Sequence, residues 1–283
     1  MQHKKGKKGS RKAANRIKVI LTLVILIAIY LNSNIFSNTN DTNTQEYHKP
    51  HTPNSTQPLE FPQMSGDEKL INYEGFVVSY NYINKIPDWV AYEMKNYETG
   101  GDYTRNGKKF RPDNALPYPQ AEDTDYRNSG WARGHMAPAA DFKWSDKAMS
   151  DTFYFTNCCP QNSSLNGGMW STLEKKVRDA AVEYESVWVI TGPIVGKNQY
   201  GTIGENKVIV PDSFFKALLV HDGSTYHSIA FIMDNCKQKS NMQSCIVNVN
   251  QLEERLNLNL FEALDDAIEE NVEGCYTLSI WNL

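Results

Sequence analysis

Hydrophobic positions come in short clusters over the last three quarters of the chain, and their spacing predicts a sheet with helices packed on it. "GFVVSYN" (75–81) and "DWVAYEM" (88–94) are β-branched and aromatic runs separated by the turn-prone "INKIP", which predicts two strands with order beginning near Leu70. "VWVITGPIV", "KVIVPDSFFKALLV" and "YHSIAFIM" have the same character and are expected to be core strands. Helical spacing emerges twice. Over 169–184, Met169, Leu173, Val177, Ala180 and Tyr184 recur at three- and four-residue steps, leaving Lys175, Lys176 and Arg178 mostly outside the stripe. Over 249–266, Leu252, Leu256 and Leu260 repeat, with Asn250 as the expected cap. With no internal repeat, residues 69–283 read as one α+β domain on a mixed or antiparallel sheet.

The N-terminal part is different. Residues 32–68 are rich in Asn, Thr, Ser, Pro and Gln and cannot bury enough surface to offset chain entropy, so a disordered spacer is expected. Eight Lys or Arg and no acid occupy the first eighteen positions, followed by the apolar run from Val19 to Leu31. That layout predicts a signal peptide or signal anchor over 1–31 and an exported protein: periplasmic, extracellular, or tethered to the outer membrane face through residues 19–31. The apolar run is short against the roughly 20 residues of a spanning helix, although uncharged residues continue to Asn40.

Charge narrows the search for chemistry. Eight of the 29 basic residues lie in the leader, leaving 21 against 33 acidic ones, so the globular part is acidic and a poor generic binder of polyanions. The exception is the stretch from Arg105 to Arg178, with eleven basic and eight acidic residues, where a phosphate site is expected. Five cysteines suit an oxidising compartment; Cys236 and Cys245 bracket a loop that a disulfide could close, and no zinc-type spacing is present.

The densest chemistry runs from Tyr126 to Phe142, "YRNSGWARGHMAPAADF". Gly134 permits close backbone approach, Arg133 offers a guanidinium fork, and His135 titrates near neutrality; in extended backbone Arg133 and His135 share a face. A lone histidine is usually a satisfied structural one, so the context has to decide. Some twenty residues on, "TNCCPQNSSLNGGMWSTLE" supplies Asn157, Gln161, Asn166 and Glu174. Loop amides usually cap backbone, but a neutral Asn oxygen can also ligate a hard cation such as Mg²⁺, which keeps much of its water. An unbroken helix would place Asn166 and Glu174 about 12 Å apart along its axis, so Glu174 is expected to act at one remove, through water. Cys158 and Cys159 lack a basic partner motif and read as buried cysteines.

These motifs resemble the DNA/RNA non-specific endonuclease family, which includes endonuclease G and secreted bacterial nucleases. The family's R-G-H with a following small-residue and Pro stretch is met by Arg133, Gly134, His135 and "MAPAADF". Its N-x-x-P-Q is met by Asn157, Pro160 and Gln161, and its L-N-x-x-x-W-x-x-L-E by Leu165, Asn166, Trp170, Leu173 and Glu174. "PDWVAYEM", "TGPI" and "VPDSFFK" also match, so the likeness spans roughly residues 70 to 280.

The resemblance implies a ββα-metal (His-Me finger) fold, DNA and RNA substrates, and a homodimer in many relatives. It further implies His135 as general base and Asn166 as ligand of Mg²⁺, with Mn²⁺ as a substitute. Glu174 would orient water, with Asn157 and Gln161 supporting the site. An upstream arginine commonly grips phosphate; "TRNGKKFRPDN" offers Arg105, Lys108 and Arg111, of which Arg111 and Arg105 rank first because a guanidinium binds two oxygens at once, and Arg133 is expected nearby. Many relatives carry Asp where this chain has Ala132, which implies a differently tuned site. Two other readings stand beside the nuclease: a surface protein that binds nucleic acid without cutting, and a phosphodiesterase for small substrates.

Overall fold

A computed structural model describes residues 57–283. The basic leader, the apolar run at 19–31 expected as signal or anchor, and the spacer up to residue 56 lie outside the described residues.

In chain order the strands are β1 (Leu70–Tyr73), β2 (Phe76–Asn81), β3 (Ile86–Lys95), β4 (Ala132–His135), β5 (Cys158–Gln161), β6 (Ser186–Ile194), β7 (Thr202–Ile203), β8 (Val208–Ile209), β9 (Ser213–His221), β10 (Tyr226–Asp234) and β11 (Ile246–Val247). The helices are α1 (Asp123–Tyr126), α2 (Asp146–Asp151), α3 (Ser163–Leu165), α4 (Ser171–Tyr184), α5 (Val249–Leu256) and α6 (Asp266–Glu273). Seven strands form one sheet in the order β1-β2-β3-β6-β9-β10-β11. Every pairing in it is antiparallel, and the fold is α+β as expected. Strands β4 and β5 stand apart as an antiparallel ribbon that leads into α3 and α4, the ββα arrangement.

The central strands are apolar on both faces because both are covered. On β9, Phe214, Leu218 and Val220 enter one core cluster, while Phe215, Ala217 and Leu219 enter a second. Successive side chains point to opposite faces, so the sheet is the middle of three layers. The first cluster takes Leu173, Val177 and Ala180 of α4, as the sequence stripe predicts, together with the fully buried Trp170. The second takes Val249 and Leu252 of α5 and Val272 of α6.

Five expectations change. The run at 207–220 is not continuous: Pro211, which lacks the donor needed inside a sheet, separates the two-residue β8 from β9. The helix expected over 249–266 stops at Leu256, because Asn257 turns left-handed (φ 53°, ψ 48°), and Leu260 reaches the core from a loop. Its cap is Asn248 rather than Asn250: Asn248 Oδ1 accepts from Gln251 N at 2.8 Å, and Gln251 Oε1 accepts from Asn248 N at 3.1 Å. Residues 57–68, read as the end of the spacer, pack on the body: Leu59, Phe61 and Met64 lie against the second cluster, with the Phe61 ring 6.1 Å from that of Trp89. Composition averaged over the whole polar stretch hides these three apolar anchors. Cys236 is exposed and Cys245 buried, and both are free thiols, so the loop they bracket is not closed by a disulfide.

Candidate active site

The ribbon β4–β5 sets the first half of the site. Ala132 pairs with Gln161, Gly134 with Cys159 and His135 with Cys158. Glycine is required at 134 because a β-carbon there would collide with Gln161 Oε1 and lie 2.6 Å from Gln161 Cβ. His135 ends β4 with its ring against Phe110 (centroids 4.6 Å apart) and edge-on to Phe153 (5.1 Å). Its Nε2 is sealed from solvent and has no hydrogen-bond partner among the described residues. Burial, then the positive charge of Arg105, pushes its pKa down to about 3, so the imidazole is neutral and its acceptor nitrogen is free.

Asn157 holds the turn after His135. Its Nδ2 donates to Ala137 O (2.9 Å) and Thr152 O (3.0 Å), and its Oδ1 accepts from Ala137 N (2.9 Å). It is fully buried and supports the site from behind. Gln161 is also buried and presses on Gly134, with neither side-chain polar atom bonded; it shapes the ribbon and does not reach the cavity.

After β5, Asn162 caps α3 by accepting from Ser164 N and Leu165 N. The chain then widens into a π-helical turn over Asn166–Trp170, in which Gly168 leaves helical geometry (φ −114°, ψ −108°), before α4 begins. The straight helix assumed in separating Asn166 from Glu174 is therefore broken. Both residues line one cavity of about 630 Å³, together with Arg105, Arg133, His135 and Arg178. Among the described residues no hydrogen bond reaches the side chain of Asn166 or of Glu174.

Burial raises the Glu174 carboxyl toward neutrality, opposed by the nearby Lys216. Lys216 projects from β9 into the first core, fully buried, with Nζ 4.9 Å from the Trp170 ring and no hydrogen bond among the described residues; burial lowers its pKa. An unbonded amide oxygen and an unbonded carboxylate facing one space are hard oxygen donors of the kind Mg²⁺ takes, so the residues fit such an ion.

The arginines divide. Arg105 is exposed and lines the cavity beside Phe153. Arg111, expected to rank with it, points elsewhere: Nη1 donates to Ser150 O (3.0 Å), Nη2 to Ser150 Oγ (3.1 Å), and the guanidinium lies 4.0 Å from the Tyr154 ring. Its backbone is the reason, since Arg111 N donates to Phe153 O and Arg111 O accepts from Phe155 N, fixing the side chain away from the cavity. Lys108 pairs with Asp146 at 2.7 Å. Arg133 lines the cavity while Asp123 holds its Nη2 at 2.7 Å. Sequence reasoning missed Arg178, which borders the cavity and pairs with the buried Asp141 at 2.8 Å. Its spacing from Glu174, one helical turn, was the available signal.

Known proteins share this sequence pattern and fold. The sequence profile of the DNA/RNA non-specific endonuclease family matches residues 56–267. The mitochondrial nuclease EXOG of Danio rerio is 36% identical over 207 residues, covering 68% of this chain and 60% of that protein. Nuclease C1 of Cunninghamella echinulata var. echinulata is 31% identical over 229 residues, covering 76% of this chain and 91% of that one. The crystal structure of the EndoG/EndoGI complex superimposes with a TM-score of 0.67 at 27% identity, covering 74% of this chain and 90% of that one. The chain spans 60% or less of the length of the EXOG relatives it matches.

These relatives overturn the expected export: EXOG and endonuclease G are named as mitochondrial nucleases. Among the described residues no helix is long and apolar enough to cross a membrane. A basic, acid-free N-terminus is common to export signals and organelle-targeting leaders, so composition alone did not choose between them. With three quarters of its length matched by the family profile and a ββα site carrying the R-G-H, N-x-x-P-Q and L-N-x-x-x-W-x-x-L-E residues, this chain belongs to the DNA/RNA non-specific endonuclease family.

Proposed function

We propose that the chain, through residues 69–283 with 57–68 packed against them, is a metal-dependent endonuclease. It hydrolyses phosphodiester bonds in DNA and RNA with little sequence preference. One observation carries the reading: an unbonded neutral imidazole and an unbonded amide oxygen face the same cavity, and three guanidinium groups border it.

Arg105, with no partner carboxylate among the described residues, grips a phosphate oxygen; Arg133 and Arg178 add positive field while held by Asp123 and Asp141. His135 takes a proton from water as the water oxygen bonds to phosphorus, and the bond from phosphorus to the 3′ oxygen breaks. The hydrophobic walls Phe110 and Phe153 keep the ring oriented and unprotonated before substrate arrives. Asn166, with Glu174 acting through water, would hold Mg²⁺ or Mn²⁺, which when bound neutralises charge on the phosphate and the departing oxygen. A charged cavity lining addresses backbone phosphates more than base edges, which accounts for weak sequence preference.

The test is incubation of the purified chain with supercoiled plasmid and with RNA, in Mg²⁺ and in EDTA. Internal cutting of both polymers in Mg²⁺, lost in EDTA and in His135→Ala, is expected. Intact plasmid and RNA in the presence of Mg²⁺ would refute the proposal, and undiminished cutting by His135→Ala would refute the assigned base.

A further inference from the structure

Behind the sheet, on the face covered by α5 and α6, three carboxylates meet. Glu253 of α5 and Glu269 and Glu273 of α6 carry oxygens that all lie within 4.8 Å of one another. Glu269 and Glu273 are one helical turn apart, a spacing at which like charges repel. Glu273 also closes α6, where the exposed carbonyls of a helix end disfavour an anion. Among the described residues none of the three forms an ion pair with Lys, Arg or His.

Glu253 is oriented by Leu260 N, which donates to its Oε1 at 2.6 Å, and Glu269 by a hydrogen bond from Asn259. The decisive group is Glu273. It is 2% exposed, its Oε1 is sealed from solvent and receives no hydrogen bond, and it points at the other two carboxylates. Buried polar groups are nearly always satisfied, so one aimed into a ring of like groups marks the place of a missing partner.

Hard oxygen donors select hard cations. A calcium ion with ligands at roughly 2.3–2.6 Å spans about 4.6–5.2 Å across its coordination sphere, so three oxygens this close can all reach a single ion. We propose that Glu253, Glu269 and Glu273 bind one divalent, oxygen-preferring cation of calcium's size, which clasps α5 to α6 on the face of the sheet away from the cavity. Glu253 lies within the match to the family profile, whereas Glu269 and Glu273 lie beyond residue 267, where that match ends. Without the cation, burial foremost raises all three carboxyl groups, with repulsion by Glu262 behind it on each and by one another on Glu253 and Glu273, so protons occupy the cluster and the ion displaces them.

The full chain, stripped of metal with a chelator, is titrated with calcium chloride and followed by calorimetry and thermal melting. The titration runs to about 10 mM, above the roughly 10⁻⁴–10⁻³ M range of weak calcium modules. Asn166→Ala is run alongside so that the cavity does not contribute. The expected result is one calcium bound by Asn166→Ala, with a melting temperature several degrees higher in calcium, and loss of both in Glu269→Gln/Glu273→Gln. Two results overturn the proposal: no calcium bound by Asn166→Ala, or a calcium-dependent shift that survives the double glutamine change. A cluster that is stabilised only by acidification, as shared protons would have it, overturns it as well. Should Asn166→Ala fail to fold, the wild type must bind one calcium more than the double variant; should the double variant fail, Glu269→Gln alone must lose it. Neither readout depends on nuclease turnover.

Discussion

The depressed pKa of His135 makes stability depend on pH in a way that one substitution isolates. Its ordinary value is 6.5, and in the folded protein it falls to about 3. Between these values the unfolded chain binds a proton that the folded chain refuses. Stability from this residue is therefore complete above the unfolded pKa and drains away as pH falls toward the folded one. Over the full interval, at about 1.4 kcal/mol per pH unit, this amounts to roughly 5 kcal/mol. From about pH 7.5 to about pH 4.5 the loss is about 2–3 kcal/mol, trimmed toward the lower figure because the ring keeps an edge to the cavity. His135→Phe is the reference: it preserves the ring contacts with Phe110 and Phe153 and does not titrate. Urea unfolding of both proteins at both pH values gives the answer as a double difference, in which titrations elsewhere cancel. Equal losses in wild type and His135→Phe would show that the imidazole titrates alike in both states, and would remove the argument for a neutral, unpaired base.

Other substitutions separate the site from its supports. Arg105→Ala lowers kcat/KM on plasmid by about 10²-fold with little change in melting temperature, whereas Arg111→Ala costs roughly 1–2 kcal/mol in urea unfolding and leaves kcat in place; the reverse pattern would put the wrong arginine in the cavity. Asn157→Leu strands Ala137 N, Ala137 O and Thr152 O and destabilises by about 3 kcal/mol or more, read from the urea midpoint. Gly134→Ala drives a methyl group into Gln161 and spreads the ribbon, so cutting is lost even where circular dichroism shows the large sheet intact.

Much of this molecule is legible in its sequence, and the failures have physical causes. The strands were visible because β-branched and aromatic runs ended at turn residues, and α4 because its buried positions kept a helical period. Linear order did not distinguish Arg105 from Arg111, because the choice is made by backbone pairing between Arg111 and the segment Phe153–Phe155, which is distant in sequence. The leucine repeat that continued past Leu256 looked helical because Leu260 is a core residue, though its loop delivers it there. Lys216 was readable as an anomaly, a lone charge in the apolar "SFFKALLV", yet only the packing of Trp170 and Glu174 onto β9 gives it meaning. The break between Asn166 and Glu174 was not legible, because Gly168 takes the helix off its axis, a conformation that glycine permits without announcing it.

Beyond the leader, 33 acidic residues face 21 basic ones, yet Arg105, Arg133, Lys143 and Arg178 gather around one opening. For the nuclease proposed above, a nucleic-acid strand approaching from most directions is turned away, and among the described residues the mouth of the cavity draws it in. Once cut, the fragment carries an additional negative charge at its new end, and the surrounding body drives it off. A protein charged in this way trades tight holding for quick release, so each molecule is free to move on to the next scission.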